Sequence, residues 1–336
     1  DRSINIQNAE KVKREEILRN RKRFFAKELT LVERDISKLF DVHSLERPDV
    51  IRTVKKIQSL EASIEEHMVE CDDIVQQDEL LQVESSEDFK AQVEQHTKNL
   101  KPFKDLWFTI STKNASFDKW YNEPLTDLNP EEIESDADDL RRQLIKVQKG
   151  FENNEQTALG ELAKTVGLEC SDFIAKMLPL MTLLCTRGMK KRHWAAINDI
   201  TGLSIRHSPE ANLKQMVAYG LHLHVEDIEE TCINASKEYS LESSLDKMEE
   251  EWEGIGFGTK PYKETGTAIL TSLEEIETIL DDQIVRAQAM RGSRYITPFI
   301  DRITKWEKML STLEDLIANW LKVQATWLYL EPIFSS

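Results

Sequence analysis

From Trp306 to Leu330, large apolar residues recur at alternating intervals of three and four: Trp306, Met309, Leu313, Leu316, Trp320, Val323, Trp327 and Leu330. This is the seven-residue repeat of a helix that lays one continuous apolar seam against a facing helix. Thr297 as cap, Pro298 at the first helical position and Pro332 as terminator bound the predicted helix. Its length is roughly 50 Å at 1.5 Å per residue. If each large seam residue contributes about 1.5–3 kcal/mol on burial, this helix supplies much of the local stability. A tryptophan row also suits ligand stacking, but heptad regularity points to packing, so Trp306, Leu313, Trp320 and Trp327 are read as a structural seam.

A seam of that kind demands neighbours of the same type, and the rest of the chain has the composition to supply them. Only 11 Gly and 9 Pro punctuate 336 residues, and 31% of the residues are charged. The expected class is all-α, an elongated rod of stacked helical bundles with one small β-hairpin at about 254–270. The balance of 44 basic against 61 acidic residues gives a net charge of −17. That charge repels nucleic acid and anionic lipid except where cations cluster, so neither nucleic acid nor membrane is an expected partner. The longest apolar stretch, Phe173 to Cys185, is interrupted by Lys176 and Pro179, and falls short of the roughly 20 residues of a membrane span. Cys71, Cys170, Cys185 and Cys232 form no CxxC pair and read as buried thiols in a reducing cytosol. The chain starts at Asp1 without Met or a signal-peptide pattern and reads as a piece of something larger.

Four stretches are distinguishable. Residues 1–100 carry long helical periodicity, broken most clearly at Arg47-Pro48, with Leu29, Val32, Ile36 and Leu39 on one face. A basic run there (Lys11, Lys13, Arg14, Arg19, Arg21, Lys22, Arg23, Lys27) suits an acidic partner, yet Glu15, Glu16 and Glu28 interrupt it, which favours a solvated face. Aromatic residues crowd Lys101 to Pro124, and a boundary is placed there, opening a helical stretch over 101–253. Within it, Asn129-Pro130-Glu131-Glu132 is a strong helix start, and Leu140, Leu144, Val147 and Phe151 follow on one face. Further helices are predicted over about 172–185, 189–200, 213–219 and 225–252, the last with the stripe Leu241, Leu245, Met248 and Trp252. Breaks fall at Gly188, Thr201-Gly202 and Ser208-Pro209. Over 254–271 the helical period stops, and Ile255, Phe257 and Thr259 against Thr267 and Ile269 read as a hairpin around Lys263-Glu264-Thr265-Gly266. Residues 272–336 form the last helical stretch.

The search for chemistry yields weak candidates. Gly254-Ile255-Gly256-Phe257-Gly258-Thr259-Lys260 superficially suggests a nucleotide loop, but Lys260 precedes Pro261 and an extended segment, not a helix. His222 and His224, with Glu226 and Asp227, are the best metal candidates, yet residues two apart in a helix diverge and no third histidine is near. Ordinary histidines are the better reading. Asn114-Ala115-Ser116 and Asn234-Ala235-Ser236 match the glycosylation acceptor, which a cytosolic chain leaves unused. No catalytic, metal or cofactor residue is assigned.

From about Lys101 onward the sequence resembles the linker region of dynein heavy chains, over roughly 70% of its length. The segments that carry the resemblance include Pro102-Phe103-Lys104-Asp105-Leu106-Trp107, Trp120 to Pro124 with Glu131-Glu132-Ile133, and Arg192-His193-Trp194. Ala235-Ser236-Lys237-Glu238-Tyr239 with Leu241-Glu242 and Trp252 follows, then Pro261-Tyr262-Lys263 with Gly266-Thr267. The most specific are Leu280-Asp281-Asp282-Gln283-Ile284-Val285 with Gln288-Ala289-Met290-Arg291-Gly292-Ser293, and Trp320-Leu321-Lys322-Val323-Gln324 with Trp327 to Phe334. The ending Leu330-Glu331-Pro332-Ile333-Phe334-Ser335-Ser336 resembles axonemal chains more than cytoplasmic ones. The pattern departs at Arg294, where a proline is expected after Ser293, and residues 1–100 carry no comparable motif.

The resemblance implies a non-catalytic lever that arches over a ring of AAA+ modules in the same heavy chain. ATP and magnesium would sit in that ring and not in this fragment. The implied partners are the ring and other dynein subunits or tail partners, and the implied place is the cytoskeleton, in a ciliary or flagellar axoneme. The hairpin residues Phe257, Lys260, Tyr262 and Lys263 are the candidate ring contact. The alternatives are a static cytoskeletal scaffold, which predicts repeats of about 100 residues that are not seen, and a hidden enzyme built on His222 or His224.

Overall fold

The computed structural model describes residues 2–83, 88–206 and 208–334, with side chains from residue 10 onward. The expected class holds: the described residues are helical apart from one two-stranded antiparallel hairpin, turns and short connections. The chain forms two compact units, Asp1–Cys185 with Ser208–His222, and Thr186–His207 with Leu223–Ser336.

In the first unit three long helices set the frame: α1 (Arg2–Ser37), α2 (Arg47–Leu81) and α3 (Phe89–Asn122). Leu18, Phe25, Leu29, Val32 and Ile36 fall on one side of α1 at helical spacing and are all buried, as is Leu39 just beyond it. Two members of the basic run are ion-paired within this bundle and not left on a solvated face. Lys22 reaches Asp78 at 2.5 Å with both side chains largely buried, and Arg21 pairs with Glu70 at 3.0 Å and with Asp73.

The boundary expected from residue 101 onward falls inside α3, which runs straight through Lys101-Pro102. Pro102 lacks the N–H that would bond the Lys98 carbonyl, but Lys98 is exposed, so that carbonyl is left to solvent and the helix continues. The aromatic crowding that marked the boundary is the helix's own packing face. Trp107 and Trp120 are buried, and Phe117, Trp120 and Tyr121 gather around Phe173, the Trp120 and Phe173 rings stacking at 5.1 Å.

Helix α4 (Pro130–Asn153) starts as its sequence predicts, with the Asn129 side-chain oxygen accepting from the Glu131 N–H at 3.2 Å. It packs on α5 (Thr157–Asp172). The single helix expected over 172–185 is instead a π turn, Phe173–Met177, followed by α6 (Leu178–Leu184). Pro179 has no N–H for the Ala175 carbonyl, and the register slips just ahead of it. The chain then enters the second unit as α7 (Lys191–Thr201) and returns as α8 (Leu213–Ala218). The Leu125 N–H donates to the Ala211 carbonyl at 2.9 Å, which ties the approach to α8 to the segment after α3.

The second unit continues with α9 (Val225–Glu250), β1 (Gly258–Pro261), β2 (Ala268–Thr271), α10 (Glu274–Arg291) and α11 (Ile300–Phe334). Leu245 and Met248 of α9 are buried, with Leu241 and Trp252 packed against the same core. Gly188, at φ +96°, lies against α9 so closely that a Cβ would stand 2.4 Å from the Tyr239 Cβ and 2.8 Å from the Ala235 carbonyl, so only glycine fits. The hairpin ladder runs from Gly258 opposite Thr271 to Pro261 opposite Ala268. Ile255 and Phe257 therefore precede it, and Thr267 lies beyond it.

Thr297–Phe299 is a 3-10 turn ahead of α11, and α11 continues through Pro332 to Phe334. Pro332 stands two residues from the helix end, where the one bond it forfeits belongs to a fraying last turn. The seam requires a correction. Its buried line is Ile303, Leu310 and Ile317, flanked by half-buried Trp306, Leu313 and Leu321. Trp327 is also half-buried, but Met309, Leu316, Trp320, Val323 and Leu330 are exposed, Trp320 by 52%. The apolar residues of α11 fill two adjacent rows. The 18 residues of α10 span about half the length of the 35-residue α11, so this partner covers one row over one half.

Candidate functional site

The hairpin is applied to the outer row of α11. Trp320, Gln324, Trp327 and Glu331 stand four, three and four residues apart, which aligns them along one side of the helix. Each has a hairpin partner. The Phe257 ring stacks on Trp320 with centroids 6.3 Å apart, and Tyr262 meets Trp327 edge-on at 5.2 Å. Between them, Gln324 accepts from the Leu270 N–H at 2.7 Å through Oε1 and donates to the Leu270 carbonyl at 3.3 Å through Nε2. Lys263 closes the row with a 3.0 Å ion pair to Glu331, whose hydrogen bond pushes the Lys263 ammonium above its usual pKa. Ile269 and Leu270, both buried, anchor the strand behind these contacts.

An isolated two-stranded hairpin is marginal in water. Two aromatic pairs at about 0.5–1.5 kcal/mol each, together with the Gln324 amide, give this one a fixed seat. Three of the four hairpin residues expected to face a partner, Phe257, Tyr262 and Lys263, are engaged with α11. Lys260, on β1 opposite Ile269, is exposed and carries no ion pair among the described residues. Gln324 was missed from sequence. Its signal was an amide set four residues after one tryptophan and three before another, on a row otherwise read as apolar.

Two further clusters fix the base of the unit. Gln283 is fully buried, accepts from Trp252 Nε1 at 2.8 Å, and donates to the Met248 carbonyl at 2.8 Å and to Glu251 at 2.9 Å. That bond, with Arg286 behind it, holds the Glu251 carboxyl below its ordinary pKa. At the start of α7, the Lys190 N–H donates to His193 Nδ1 at 3.0 Å, so His193 Nε2 carries the proton toward Glu238 at 2.9 Å. Arg192 also pairs with Glu238, and Lys190 with Glu242 at 2.7 Å. Sequence segments far apart thus meet as ion-paired helix faces.

The remaining chemical candidates take ordinary places. Gly258-Thr259-Lys260-Pro261 is a strand, and the next helix begins only at Glu274, so no phosphate cradle forms there. His224 Nδ1 lies 2.9 Å from Asp227 in the first turn of α9. Among the described residues no group of three or more His, Cys, Asp or Glu could hold a metal ion. No helix among them is long and apolar enough to cross a membrane. Burial pushes the Cys170 thiol up to about 11 and those of Cys185 and Cys232 to about 12, which leaves them protonated and unreactive near neutral pH.

Comparison with known proteins gives a consistent family. A family model described as dynein heavy chain, N-terminal region 2, matches residues 93–336. Human dynein axonemal heavy chain 3 is 35% identical over 283 residues, 84% of this chain and 7% of its own length. Mouse dynein axonemal heavy chain 1 is 37% identical over 241 residues, 71% of this chain and 6% of its own. Human dynein axonemal heavy chain 12 is 31% identical over 334 residues, 98% of this chain and 11% of its own. The last match extends the likeness into residues 1–92, where no motif had been legible. The chain thus spans about a tenth or less of the length of these relatives.

Proposed function

The chain belongs to the dynein heavy chains, and we propose that it serves such a motor as its mechanical linker, a lever coupling ATP-driven changes of a neighbouring AAA+ ring to force on microtubules. On this reading the segment is non-catalytic. ATP and magnesium belong to the ring of the same heavy chain, which is its main partner, beside other dynein subunits or tail partners. The axonemal names of the relatives support a place in the cytoskeleton of a cilium or flagellum.

The observation that carries the reading is the bracing of α11. A free helix of roughly 50 Å curves and bends easily, and a lever needs such an element held along its length. Here α10 supports the first half, Arg302 ties it to Asp246 and Glu249 of α9, and the hairpin grips the row from Trp320 to Glu331. Bending is then assigned to the breaks at Gly188, Thr201-Gly202 and Ser208-Pro209. Lys260, exposed on β1, is the hairpin side chain left for the ring.

The test uses a complete motor. Gln324→Ala with Trp327→Ala should slow microtubule gliding while basal ATP hydrolysis continues, because the brace and not the ring is weakened. Lys260→Glu should slow gliding without loosening the brace. Unchanged gliding in both variants, or saturable nucleotide binding by this chain alone, would overturn the lever reading.

A further inference from the structure

Helix α1 has a second face that the bundle does not use. Ile17, Phe24 and Leu31 recur every seven residues and are 60%, 62% and 48% accessible. Lys13, Asn20, Lys27 and Arg34 alternate with them at intervals of three and four, and all four are exposed. Together they make an unbroken heptad row of roughly 32 Å at 1.5 Å per residue, opposite the buried side of the helix. Lys11 to Arg34 holds nine basic against four acidic residues, in a chain whose net charge is −17. Arg21 and Lys22 are drawn into the bundle, whereas Lys13 and Lys27 carry no ion pair among the described residues.

The order of residues in this row selects its occupant. Single exposed apolar residues are ordinary on a solvated face, but Ile17, Phe24 and Leu31 share one row in heptad register. A membrane surface needs a broad apolar side, but here apolar residues take alternate places in one row and the other side of α1 is packed in a bundle. A second copy of the row would set Lys27 against Lys27 in parallel pairing, or cations against Phe24 and Leu31 in antiparallel pairing. A helix with acidic positions in place of those cations meets none of these objections. We propose that the outer face of α1 is a docking seam for an acidic amphipathic helix of another protein. That helix would carry an apolar residue at every seventh position to meet Ile17, Phe24 and Leu31, and carboxylates against Lys13, Lys27 and Arg34.

The probe is a synthetic helical peptide of three heptads, with Leu at every seventh position and Glu at the flanking ones, titrated into the full chain by fluorescence anisotropy. Saturable binding that weakens with salt is expected, and Phe24→Ser should weaken it about tenfold or more. Phe24 is exposed, so an unchanged melting curve accompanies that loss. Lys27→Glu with Arg34→Glu should abolish binding of the Glu peptide and admit a Lys-substituted one. No binding of the Glu peptide, or binding indifferent to these substitutions, overturns the proposal. So does Phe24-dependent self-association in sedimentation, or Phe24-dependent binding to phosphatidylserine vesicles.

Discussion

Gln283 uses one buried amide to hold Trp252, the Met248 carbonyl and Glu251 at the end of α9. Leucine would fill a similar volume but leave the indole N–H and the carbonyl without partners, at about 1–3 kcal/mol for each buried unpaired group. Gln283→Leu should therefore lower unfolding stability by about 2–6 kcal/mol in urea titrations, twice the cost of one orphaned group. A loss below about 1 kcal/mol would mean that water reaches the site. His96 makes a different case. It is buried on α3, its Nδ1 has no hydrogen-bond partner among the described residues, and its pKa is lowered chiefly by burial, with the Glu33 carboxylate opposing the shift and the His67 charge adding to it. The folded chain thus prefers neutral His96, while an unfolded histidine binds a proton at about pH 6.5. Below that pH the unfolded state holds more protons, so stability falls as pH falls toward the folded pKa. His96→Leu should show a shallower decline in melting temperature between about pH 7 and about pH 5 than the natural chain. Equal slopes would remove His96 from the account.

Elements were legible where their signals are local. The Asn129-Pro130 start of α4, the break before Pro48 and the turn at Lys263 to Gly266 depend on neighbours in sequence, and all three appear in the structure. The row of α11 that is covered depends instead on the length of its partner, which no spacing within α11 encodes. A heptad pattern identifies a face, but two adjacent apolar rows leave the choice to α10 and the hairpin. The same reasoning ranks substitutions. Leu310→Ala removes a side chain from the core and should cost about 2–5 kcal/mol, whereas Trp320→Ala loses one ring contact on an exposed row and should cost about 1 kcal/mol. Urea midpoints compare the two directly, and a larger loss at Trp320 would restore the seam as first read. Gln324→Ala should speed amide exchange at Leu270, whose N–H it accepts, without moving amides in the middle of α10.

At the scale of the whole molecule, the division into two units follows contacts between residues far apart in sequence. The boundary read at residue 101 lies inside the first unit, and only the breaks at Gly188 and Ser208-Pro209, beside two of the three passages between the units, were legible. That Ser208–His222 returns to the first unit was not, because the reason lies in what it covers. Leu213, Met216 and Leu221 are fully buried, and Ala211 accepts from the Leu125 N–H. Fifteen residues thus complete the core of a unit whose earlier segment ends at Cys185. Met216→Asp in the full chain places an unpaired carboxylate in that core, a change that buried sites oppose strongly. Amide exchange should accelerate at Leu125 and across the end of α3, while α10 and α11, whose core is built from Leu280, Ile303, Leu310 and Ile317, keep their protection. If exchange rose uniformly instead, the chain would unfold as one cooperative body, and the two units would be a description of contacts without energetic meaning.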